Sequence, residues 1–121
     1  MSPQFTLGMA KTATPNVPSA LEAKLVEVFP DFRATEMDDG AERLTFHSVM
    51  TDFAVYFGGV AQTASPRQLR SLAELTESAI EAGGHIGNAF DTCLIEHLHQ
   101  IGAEKVFRPY RSEAQRARRH A

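Results

Sequence analysis

The apolar residues between positions 46 and 60 constrain this chain more than any other feature. Phe46, Val49, Met50, Phe53, Tyr56, Phe57 and Val60 recur at intervals of three and four. An α-helix, at 3.6 residues per turn, gathers such positions onto one stripe, whereas a strand would scatter them over both faces. The segment therefore predicts a helix over about 45–57, stopped by Gly58 and Gly59. A stripe this wide and aromatic needs other apolar surfaces to cover it.

Helix-start signals supply those partners. A hydroxyl, amide or carboxylate side chain three residues before Glu, Gln or Asp marks an N-terminus, because the two side chains cap each other's backbone N–H groups. Ser19 with Glu22 predicts a first helix carrying Leu21, Leu25, Val28 and Phe29 on one stripe and stopped by Pro30. Ser65 with Gln68 predicts another, with Pro66 in the first helical position, a stripe of Leu69, Leu72, Ala73, Thr76, Ala79 and Ile80, and an end at Gly83 and Gly84. Asn88 with Asp91 predicts a fourth, with Phe90, Cys93, Leu94, Leu98 and Ile101 on one face and Gly102 as its stop. Ser112 with Gln115 predicts a short last helix. Leu25, Phe29, Phe53, Phe57, Leu72, Ile80, Leu94 and Leu98 are the expected common core.

Residues 33–45 admit two readings. Asp39-Gly40 between Thr35-Glu36-Met37 and Arg43-Leu44-Thr45 reads either as a loop or as the turn of a small β-hairpin. An isolated hairpin is marginal in water and would be an appendage to a helical core. The fold class is all-α: an irregular bundle of four to five helices, or stacked helical hairpins. Residues 1–18, with three of the six prolines among Ser, Thr and Gly, read as a disordered leader. Residues 19–110 form the helical domain, and 111–121 a basic C-terminal helix or tail.

At 121 residues, 43% hydrophobic and 22% charged, the composition is that of an ordinary globular domain. No stretch reaches the 18 or so apolar residues of a membrane span, and a lone cysteine, Cys93, makes neither an internal disulfide nor a cysteine-rich zinc site. A reducing cytoplasm fits this usage. The net charge of −3 conceals an asymmetry: residues 1–104 hold 14 acidic against 6 basic side chains, residues 105–121 only 1 against 6. An acidic body carries a basic end.

Glu96, His97 and His99, with His85 and Asp91 nearby, are the residue types of a metal or general-base site. Their spacing argues otherwise, because residues two apart on a helix point to opposite sides. Glu96 and His99 could share an ion, but two ligands do not make a site. His97 falls within the apolar arc of Phe90, Leu94 and Ile101 and reads as a partly buried structural residue. Cys93 reads as a small hydrophobe; a thiol nucleophile would need His97, one turn on, as its base. No cofactor or metal is implied, and no catalytic residue is assigned. The phosphate-binding loop, nucleophile elbow and paired-histidine metalloprotease patterns are all missing.

Two charged groups remain. Glu36, Asp38, Asp39 and Glu42 are the densest anionic feature and the candidate docking surface for a partner, expected to be basic. Arg108, Arg111, Arg116, Arg118 and Arg119 are the candidate anion-binding group, the one route by which nucleic acid could be engaged.

Phe29-Pro30-Asp31, the run from Asn88 through Ala89, Phe90, Asp91, Thr92, Cys93, Leu94, Ile95, Glu96 and His97 to Leu98, and Arg108-Pro109-Tyr110 carry a resemblance over residues 21–110. They are similar to a group of small bacterial all-helical proteins that pair a Phe-Pro helix end with a Phe-Leu-Glu-x-Leu type helix and a following Gly-Pro or Arg-Pro step. Here Arg108 stands where that group often has Gly. Small acidic proteins of this kind resemble the immunity proteins of bacterial toxin systems; the resemblance implies an all-helical fold more than an activity, and no catalytic residue carries over from it. The leading expectation is a non-enzymatic protein-binding module, immunity-like or an adaptor. The alternatives are a nucleic-acid-associated regulator working through the basic tail and, behind it, a small metal- or thiol-dependent enzyme.

Overall fold

Among residues 14–32 and 44–119, which the computed structural model describes, the chain is all-α, with five helices and no strand. The proposed hairpin falls almost wholly on 33–43, outside the described residues.

Helix α1 is Pro18–Val28. It starts two residues earlier than the Ser19 signal implied, and no side chain caps it: Val17 is the N-cap and Pro18 opens the first turn. Proline is suited to that position because its missing N–H would have had no helical partner. Leu21 and Leu25 are buried, and beyond the helix end Phe29 and Phe32 turn back into the core. Ahead of the helix, the Thr14 hydroxyl is hydrogen-bonded to that of Ser78.

Helix α2 is Phe46–Val60. Thr45 and Ser48 cap each other reciprocally, with both hydrogen bonds at 2.9 Å. The expected stop at Gly58-Gly59 does not occur. Neither glycine has positive φ, and a Cβ at Gly58 would lie 2.7 Å from Cδ1 of Ile101. Gly58 therefore serves close approach between helices rather than termination.

Helix α3, Pro66–Ala82, has the expected Ser65–Gln68 capping box, Pro66 in its first turn, and Gly83 with φ of +73° at its end. The Gln68 amide also donates to the Val28 carbonyl at 3.0 Å, tying the start of α3 to the end of α1. This helix is buried on more than one side: Leu75, Glu77 and Ser78 are enclosed as well as the predicted stripe, but Ile80 is 37% exposed and leaves the expected core.

Gly83 and Gly84, both at positive φ, turn the chain sharply into α4. Helix α4 comprises Gly84–Ala89 and Glu96–Ile101, joined by a π-helical stretch Phe90–Ile95 in which the Glu96 N–H reaches back to the Asp91 carbonyl. It starts four residues before Asn88, so that residue lies inside the helix, where its amide meets His47 Nε2 at 3.2 Å. The widened turn has a packing cause. Ile86, Phe90, Leu94 and Leu98 are all buried at a constant spacing of four, which in a pure α-helix drifts by about 40° per step. A turn closed by i→i+5 bonds counters that drift and keeps all four on one core.

After Gly102, at φ of +77°, helix α5 runs Glu104–Arg119. The predicted start at Ser112 is wrong because the helix continues through Pro109. The carbonyl that loses its partner there is that of Lys105, and both residues are exposed, so water can satisfy it. Phe107 and Ala114 are buried against the bundle, which makes the basic segment part of the domain.

The core centres on an aromatic cluster. Phe29, Phe32, Phe53, Tyr56 and Phe57 lie with ring centroids 5.2–6.1 Å apart, and Phe107 joins through Phe57 at 5.7 Å. Mostly tilted and edge-on, these contacts add to the gain from burial itself. The α2 stripe is thus core.

Candidate functional site

Helix α5 lies along α3, and its arginines divide by helical position. Phe107, Arg111, Ala114 and Arg118 are spaced four, three and four, so they share the inward stripe. Arg111 Nε donates to Glu77 Oε2 at 2.6 Å; Glu77 is 7% exposed. Arg118 pairs with Glu81, nearer the end of α3. The two ion pairs follow the same order on both helices, so α3 and α5 run in the same sense.

Arg108 lies off that stripe and grips Glu104 on its own helix through Nε at 2.8 Å and a terminal nitrogen at 2.5 Å. This fork holds the Glu104 carboxyl below its usual range and pushes the Arg108 guanidinium up, chiefly through the shared hydrogen bonds. Arg116 is exposed but has a partner, and Arg119 is exposed. The five sequence-predicted anion-binding residues are therefore not one surface: two face α3, one is clamped within α5, and two lie outside. The acidic candidates Glu36, Asp38, Asp39 and Glu42 fall outside the described residues.

On α4, His97 is half-buried beside Gly58, while Glu96 and His99 are exposed. Among the described residues no group of three or more His, Cys, Asp or Glu side chains is arranged to hold a metal ion. Cys93 is half-buried at the edge of the core, with the Thr92 hydroxyl 3.8 Å from its sulfur. Thr92 also donates to the Asn88 carbonyl at 2.8 Å, within the stretch that leads into the π-helix.

Two features escaped the sequence reading. A shallow cleft of about 250 Å³ lies between α1 and α3. Lys24 and Arg67 line it together with Glu27 and Glu74, so its charge is mixed, and Lys24 already pairs with Glu27 at 3.3 Å. The second is an apolar exposure on the outside of α2 and α4, where Val55 is 65% and Ile101 49% accessible. Gly58, one turn from Val55, brings the two helices together there. Alternating charges at helical spacing hint at such a cleft only once the neighbouring helix is known, and Val55 breaks the apolar period of α2 in plain view.

No helix of the described residues is long and apolar enough to cross a membrane. Comparison with family models, with curated proteins and with solved structures finds no match.

Proposed function

We propose that the protein is a non-enzymatic protein-binding module, immunity-like or an adaptor, whose acidic body receives a basic partner. The observation that carries this reading is the internal use of the C-terminal arginines. Arg111 and Arg118 are turned onto Glu77 and Glu81, and Arg108 onto Glu104. Nucleic-acid binding through Arg108, Arg111 or Arg118 would have to break those pairs, and freeing Arg111 would leave Glu77 charged and enclosed. Those pairs cancel Glu77, Glu81 and Glu104 among the 14 acidic side chains of residues 1–104, and the chain's net charge of −3 still gives an acidic long-range field.

The test needs a partner and purified components. A protein recovered on the immobilised chain should be basic, and its association with the purified chain should slow when salt is raised. Reversing Asp38, Asp39 and Glu42 to Lys should reduce the association rate by roughly tenfold or more, since steering charges act mainly on encounter. An association rate unchanged by the triple reversal and insensitive to salt would refute the acidic docking surface.

A further inference from the structure

No further inference is drawn: the strongest candidate, the exposed apolar face that Val55 and Ile101 form on either side of Gly58 where α2 meets α4, carries nothing because nothing in the structure shows what covers it.

Discussion

Glu77 and Arg111 show what a single enclosed charge demands. A carboxylate buried in α3 is costly unless a cation meets it, and Arg111 does so at 2.6 Å while remaining itself 19% exposed. Replacing Arg111 with Ala should cost about 2–3 kcal/mol in urea unfolding, much of it the penalty of leaving Glu77 unpaired. A loss below about 0.5 kcal/mol would mean that the pair behaves like a surface ion pair. Tyr56 offers a second measurement. Burial first, and the charge of Asp31 second, raise its phenol above the ordinary value. A raised folded-state value means that the neutral phenol's contribution is full below about pH 10 and is lost as pH rises through the folded value. Stability should therefore fall more steeply as pH rises above about 10 in the wild type than in Tyr56→Phe; equal slopes in denaturant titrations would contradict the shift.

At the level of elements, local chemistry and packing each decided part of the outcome. The Ser65–Gln68 box and the glycine ends at Gly83 and Gly102 were legible because caps are short-range devices whose residues are adjacent in the chain. The Gly58-Gly59 stop, the Asn88 start and the Ser112 start failed where tertiary contacts overrode the same vocabulary. The π-helix left one signal, the unbroken spacing of four from Ile86 to Leu98, which a pure α-helix cannot keep on one face. The inward turn of Arg111 and Arg118 was also legible in principle, since both share the period of Phe107 and Ala114; charge alone concealed it. Glycines separate the two kinds of evidence by experiment. A Cβ at Gly87 would sit 2.9 Å from the Ala79 carbonyl oxygen and 3.6 Å from the Ile80 Cα, backbone atoms that have little room to yield. Gly87→Ala should therefore cost about 1–3 kcal/mol. Gly59 is exposed inside α2 with nothing within 4 Å of such an atom, so Gly59→Ala should gain about 0.5 kcal/mol. Thermal melts of the two variants should move in opposite directions, and a stabilised Gly87→Ala would show that α3 and α4 do not cross so closely.

For the whole molecule, α5 is a structural helix whose arginines are largely occupied, and the proposed function has the acidic body receive a partner. Of residues 111–121, expected as a basic C-terminal helix or tail, those through Arg119 are helical, with Ala114 buried and Arg111 bonded to Glu77 of α3. Deleting the segment would therefore disturb the fold as well as the charge, and single substitutions are the cleaner probes. The most direct measurement is a titration of labelled duplex DNA with the full chain at two salt concentrations, followed by fluorescence anisotropy. Weak binding is expected at about 0.15 M salt, with a log–log salt slope no steeper than about −1 to −2, because Arg108, Arg111 and Arg118 are held by Glu104, Glu77 and Glu81. Saturable, tight binding with a slope of about −3 to −4, flattened by Arg111→Gln and Arg118→Gln, would contradict it: those arginines would then be serving phosphates and not Glu77 and Glu81.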